Sequence, residues 1–410
     1  MKVRAITGFL DPGWPLVPSR IASLALCLSA IRDAIGEAGY ETQTLRLATP
    51  PPSKIDKPVR PRERPELARQ LAAECSSHGI EYANIGPAIP EELDGFQIIP
   101  EVLAAAPSVF CSGLFASPPT GISLQAARAC AEAIQRASTV SPDGFANLRF
   151  AGLANVDAGS PFFPAAYHDG GPAAVGLGTE SADLAVESFQ NAGSLAAARR
   201  QLVSSIETHA AALTRAAGPV ARERNVRFLG VDFSPAPYPE PDRSVGTALE
   251  LLGAPALGLS GTAAAAAFLT DCLDQAEFGR TGFCGLMLPV LEDSILALRA
   301  AEGRLGLTEL LLMSTLCGCG LDTIPLPGEV SKESLAALLI DLGALALRHN
   351  KPLTARLMPI PGKSAGDPIH FDFPYFADSR VMELPAIPLT DLLASSEPLD
   401  LSPRPQLRRS

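Results

Sequence analysis

Short apolar runs alternating with longer helical ones limit most strongly what this chain can become. Residues 3–10, 41–48, 80–85, 108–115, 148–154, 226–233, 283–290 and 354–361 have the length and composition of buried strands. Among them fall stretches of helical length at 20–38, 66–76, 121–138, 181–191, 194–224 and 263–273. A strand buried on both faces needs helices to cover it, and parallel neighbours need a helical crossover. This alternation therefore predicts an α/β fold, a mainly parallel sheet or barrel clad in helices. In that architecture ligands sit at the carboxyl ends of strands. The residues that follow each strand are where chemistry is expected.

Of the 410 residues, 47% are hydrophobic and 19% charged, enough to bury a large core. Residues 1–385 are expected to form a single α/β barrel domain, with an exposed Pro-, Lys- and Arg-rich loop at 49–65. Residues 386–410 are a Pro/Ser-rich tail with little periodicity. A net charge of -11 argues against a general nucleic-acid partner, which needs clustered Lys and Arg. No apolar run reaches the roughly 18–20 residues that span a bilayer, so no membrane partner is expected. The opening residues do not read as a signal peptide, and a cytoplasmic location is expected. The cysteines at 27, 75, 111, 130, 272, 284, 317 and 319 have no disulfide-framework spacing, and reduced thiols are expected. The expected partner is a small-molecule ligand, and a homo-oligomer is compatible with all of this.

Two thiols and a carboxylate fall within Cys317-Gly318-Cys319-Gly320-Leu321-Asp322. An apolar helical run at 307–316 leads into it, and Pro325 and Pro327 stop the helix from continuing. Such a glycine-loosened loop suits a site, or else a helix end with two buried thiols. His168 ends an aromatic, proline-bearing stretch just before Gly170 and Gly171, and could serve as a general base or a metal ligand. Asp232 and Ser234 close the strand at 226–233 before Pro235 and Pro237, where a carboxylate is either preorganised or merely caps the strand. Cys111 and Ser112 lie within another strand. Arg356 and Lys363 lie in or just past the last one and could meet an anionic substrate. Glu292 and Asp293 follow the run at 283–290. With His168 and Asp232 they form an N/O donor set suited to a divalent metal such as Zn, Mn or Mg. Gly258-Leu259-Ser260-Gly261-Thr262 lacks the lysine of a phosphate-binding loop, so nucleotide binding is not favoured.

Five strings carry a resemblance: the segment from Ala154 to His168, Val231 to Pro237, Gly285-Leu286-Met287-Leu288-Pro289-Val290-Leu291-Glu292-Asp293, Cys317 to Pro327, and Thr354 to Lys363. They resemble the family called domain of unknown function 711, or uncharacterised protein family 0210. The resemblance implies a fold grouped with the pyruvate formate-lyase-like glycyl radical enzymes, an α/β barrel with a central loop. It brings no established activity. Radical chemistry is not expected, because the last glycine is Gly366 and the segment Ser379-Arg380-Val381-Met382 holds none. The leading expectation is a non-radical enzyme acting on a small polar, anionic molecule inside the barrel. His168, Asp232, Cys317 and Asp322 would be catalytic, and Cys111, Ser112, Ser234, Arg356 and Lys363 would bind substrate. The alternatives are a metal-dependent hydrolase or lyase, and a catalytically silent small-molecule-binding or scaffold protein.

Overall fold

A computed structural model of the chain describes residues 1–316 and 318–404. Its strands are β1 (Lys2–Phe9), β2 (Thr42–Ala48), β3 (Tyr82–Ala88), β4 (Val109–Ser117), β5 (Gly121–Ile122), β6 (Phe150–Ala154), β7 (Ala174–Glu180), β8 (Arg227–Ala236), β9 (Gly320–Pro327), β10 (Leu353–Ile360), β11 (Pro368–Ile369) and β12 (Ser379–Arg380). A 10-stranded sheet runs in the order β8-β7-β1-β2-β3-β4-β6-β10-β9, with β5 attached to β4. The strands β1, β2, β3, β4 and β6 are mutually parallel. The pairs β7–β8 and β9–β10 are parallel within themselves and antiparallel to that group. The sheet is therefore mixed, and it has no single carboxyl edge.

Most expected strands form within a few residues of their expected bounds. Two of the longer strands, β7 and β9, are absent from the sequence reading, as are the two-residue strands β5, β11 and β12. β9 carries Pro325 and Pro327, which read as a loop. It lies at an edge of the sheet, where a missing N–H is tolerated. The expected strand at 283–290 is irregular instead. Residues 279–290 touch both edges of the sheet. The Val231 N–H donates to Gly279 O at 2.9 Å, and the Val290 N–H donates to Asp322 O at 3.0 Å. A φ of +120° at Gly230 lets the Gly279 carbonyl approach β8 where a Cβ would collide. Among the described residues the strands form no closed ring.

Helices cover the outer face. Serines set several of their starts: Ser123, Ser194 and Ser331 accept from backbone N–H groups of Leu124–Ala137, Leu195–Glu223 and Lys332–His349. The inner face curls around residues 155–171. Thr7 Oγ1 on β1 donates to Pro161 O at 2.7 Å. Asn84 Nδ2 on β3 donates to Pro164 O at 3.0 Å and also to Ala166 O. The His168 N–H donates to Thr49 O at 3.1 Å, just past β2. Phe163 and Ala166 pack with Phe9 and Ala48, and Ala165 packs with Ala151 and Leu153. This loop follows β6, so it fills the interior near the carboxyl ends of the parallel group.

Two peripheral expectations meet a different arrangement. In the 49–65 stretch, expected to be exposed, Thr49, Pro50, Pro51, Pro52, Ile55 and Val59 are buried. The tail lies back on the molecule, with Leu399 and Ile122 exchanging backbone hydrogen bonds at 2.9 Å. No helix among the described residues is long and apolar enough to cross a membrane.

Candidate functional site

A cavity of about 490 Å³ lies inside the curled sheet. Its strand-borne walls are Arg4 on β1, Thr44 and Arg46 on β2, Tyr82 on β3, Phe110 on β4, Ala151 on β6, Asp322 on β9, and Thr354 and Arg356 on β10. In β1, β3, β4 and β6 these residues sit in the first half of the strand, and in β2 they flank its midpoint. The loop at 155–171 presents Phe162, Phe163, Pro164 and Ala165 to the same space. Plugging the carboxyl ends of the parallel group thus leaves room toward their amino ends. Phe373 and Tyr375, between β11 and β12, close another side.

The polar part is a chain of ion pairs. Arg4 pairs with Glu292 and lies 3.7 Å from Glu180, which Arg243 also holds. Arg356 Nη2 is 2.6 Å from Glu292 Oε1. Its guanidinium also grips Asp322 with two prongs, Nε–Oδ1 at 2.5 Å and Nη2–Oδ2 at 3.0 Å. Burial works against the charge on Glu292, yet Arg4 and Arg356 together hold its carboxyl below the usual range. Burial pushes the Asp322 carboxyl up; Arg356 opposes this, and the Glu292 charge adds to it. One guanidinium joins two carboxyl groups whose proton affinities are driven apart.

Arg46 stands outside this chain. Its Nε donates to Thr44 Oγ1 at 2.8 Å, and its guanidinium carbon lies 5.3 Å from the Phe163 ring centroid. Among the described residues it forms no ion pair. Burial first, then the like charges of Arg4 and Arg356, lower its pKa to about 10.

Of the residues singled out in the sequence, Asp322, Arg356 and Glu292 line this cavity and touch one another. His168 and Asp232 do not line it. His168 is buried on the loop, where Nε2–H donates to Gly171 O at 2.9 Å and Nδ1 lies 3.2 Å from Asp169. Asp232 accepts from the N–H groups of Ser234, Phe283 and Cys284 and from the Ser234 hydroxyl at 2.6 Å, which pins residues 282–285 to β8. Burial pushes its carboxyl up. Ser234 Oγ accepts in turn from the Gly285 N–H at 3.1 Å. Asp293 caps the helix Ser294–Ala301 and accepts from Ser244 Oγ at 2.6 Å. Cys111 is buried, its thiol pushed up to about 12. Ser112 is fully buried, and Lys363 is half-buried after β10; neither lines the cavity. Cys317 lies outside the described residues, while Cys319 stands in the wall. The metal donors proposed from sequence are thus dispersed. Among the described residues no group of three or more His, Cys, Asp or Glu side chains could hold a metal ion.

Sequence reasoning missed Arg4, Arg46 and the aromatic wall. Arg4 and Arg46 sit inside apolar strands, where a charged residue flanked by Val, Leu or Ala is itself a signal, since buried charge is costly unless used or paired.

The model of the family described as Uncharacterised ACR (DUF711) matches residues 14–377. A UPF0210 protein of Pyrobaculum islandicum is 31% identical over 361 residues, covering 82% of this chain and 78% of that protein. One from Acetivibrio thermocellus is 32% identical over 286 residues, covering 67% and 63%. One from Neisseria gonorrhoeae is 28% identical over 283 residues, covering 67% and 62%. On the extent of the family match and the level of these identities, this chain belongs to the DUF711 family, whose relatives here carry the name UPF0210.

Proposed function

We propose that this chain is an enzyme acting on a small anionic molecule in the cavity, and that it moves a proton through Asp322. The observation that carries the reading is the split pair: Glu292 and Asp322 share Arg356, yet their proton affinities are driven in opposite directions. Enzymes use such divergence to separate a permanent charge from a proton carrier. In this reading Glu292 stays ionised and fixes Arg4 and Arg356. Asp322 takes a proton from the bound molecule, and Arg356 steadies the negative charge left behind. The reading needs neither His168 nor a radical.

We propose that residues 279–290 complete a barrel like that of the glycyl radical enzyme fold; their parallel bridges, Arg280 to Val231 and Pro289 to Asp322, support this.

Binding without turnover is the second reading, favoured by the two-pronged grip of Arg356 on Asp322. The two separate in deuterated buffer, with mixed small carboxylic and 2-oxo acids followed by proton NMR. The enzyme should exchange carbon-bound hydrogen in at least one acid. Asp322→Asn should slow that exchange about 10²–10⁴-fold with the affinity for the acid nearly unchanged, although the melting temperature falls because a buried ion pair is broken. Exchange no faster than in buffer alone, or equal in both proteins, would leave binding without turnover standing.

A further inference from the structure

We propose that the ligand is a carboxylate carried on an aromatic or branched apolar body, with its anionic end held by Arg46. This rests on the anionic-ligand reading above and narrows it. The other guanidinium groups of the wall are already engaged. Arg4 and Arg356 are in ion pairs, and Arg149 is bound to the carbonyls of Leu103, Ala106 and Val109 at 2.9–3.1 Å. Arg46 has only the Thr44 hydroxyl, at Nε. Its two terminal nitrogens make no hydrogen bond among the described residues, although such a group offers donors in a fork that matches a carboxylate.

The position is costly unless it is used. Arg46 lies against the Phe163 ring, and burial first, then the like charges of Arg4 and Arg356, lower its pKa, with Glu292 only partly opposing them. A cation whose pKa falls on folding weakens the fold while it is charged, and relief comes only as pH rises past about 10. At neutral pH the arginine is charged and half-buried; Glu292 offsets part of the repulsion but forms no ion pair with it among the described residues.

The rest of the wall sets the body of the ligand. Phe110, Phe145, Leu148, Phe162, Phe373 and Tyr375 line the cavity. Phe145 and Phe373 meet edge to face at 5.1 Å, which gives a firm apolar surface. Bare phosphate or acetate would leave that surface in contact with water. A volume of about 490 Å³ suits a ligand of small-metabolite size.

The test is calorimetric titration of the full chain with three sets of probes. The first is benzoate, phenylacetate and 4-methylpentanoate. The second is their neutral amides, and the third is acetate and inorganic phosphate. At least one member of the first set should bind, and its amide should bind about tenfold more weakly or worse. Arg46→Gln should weaken the carboxylate to the level of the amide, and Arg46→Lys should fall between. Arg46→Gln should melt no lower than the natural chain, because it removes a half-buried charge that has no ion-pair partner among the described residues. Arg46-dependent binding of acetate or phosphate without binding of the first set would overturn the apolar body and leave the anionic-ligand reading intact. Equal binding of acid and amide would overturn the role of Arg46. Failure of every anion to bind would overturn both readings.

Discussion

At the residue scale, the cavity shows how environment decides what a side chain can do. Glu292 and Asp322 are both acids beside Arg356, but Glu292 also has Arg4, and that second cation separates their behaviour. His168 shows the opposite outcome. It looked in sequence like a base on a rigid loop, and that loop is rigid because His168 takes part in fixing it. Its ring bonds Gly171, and its backbone bonds Thr49. His168→Ala should therefore lower stability by about 1–2 kcal/mol through the lost buried hydrogen bond while changing the affinity of a cavity ligand by about twofold or less. Thermal melting beside calorimetric titration reads both quantities. An unchanged melting temperature with lost binding would return His168 to the site.

At the element scale, the surprises lie where backbone hydrogen bonding departs from the regular ladder. β9 holds two prolines because it is an edge. The run at 283–290 is apolar enough for a strand, but Asp232 collects the N–H groups of Phe283 and Cys284 and bends it away from a ladder. The same run passes close to Gly318, and a Cβ on Gly285 would stand 2.6 Å from the Gly318 Cα. Gly285→Ala should cost about 1–3 kcal/mol by overpacking. Gly279→Ala has nothing within 4 Å of its Cβ and serves as the control. Chemical denaturation of both variants checks the difference; equal midpoints would mean the two segments are not in contact. Because Met287, Pro289 and Glu292 also line the cavity, a displaced segment should weaken ligand binding as well.

At the scale of the whole molecule, the sheet is wrapped around one of its own loops, and the cavity is the space the loop leaves. The tail is outside this arrangement. Leu399 pairs with Ile122 beside β4, and Arg348 reaches Ser402 O at 2.5 Å. A chain ending at Glu397 should lose about 2 kcal/mol, the value of covering Leu399 and Leu401 in part, and should bind a cavity ligand as before. A truncated chain that keeps its melting temperature but loses the ligand would place the tail in the function instead.

The sequence alone determined the α/β class, most strand positions and the starts of several helices, because these follow from local periodicity and from caps that need only their neighbours. It also singled out Asp322, Arg356 and Glu292, since polar residues at the ends or in the midst of apolar runs stand out in a linear reading. What it could not decide was convergence. Asp232 and Asp322 each sit on a strand near a glycine or proline, yet one is spent pinning a backbone and the other faces a cavity. That choice depends on which strands become neighbours and on which end of the sheet the 155–171 loop fills. Both are set by contacts between residues far apart in the chain, and no local pattern encodes them.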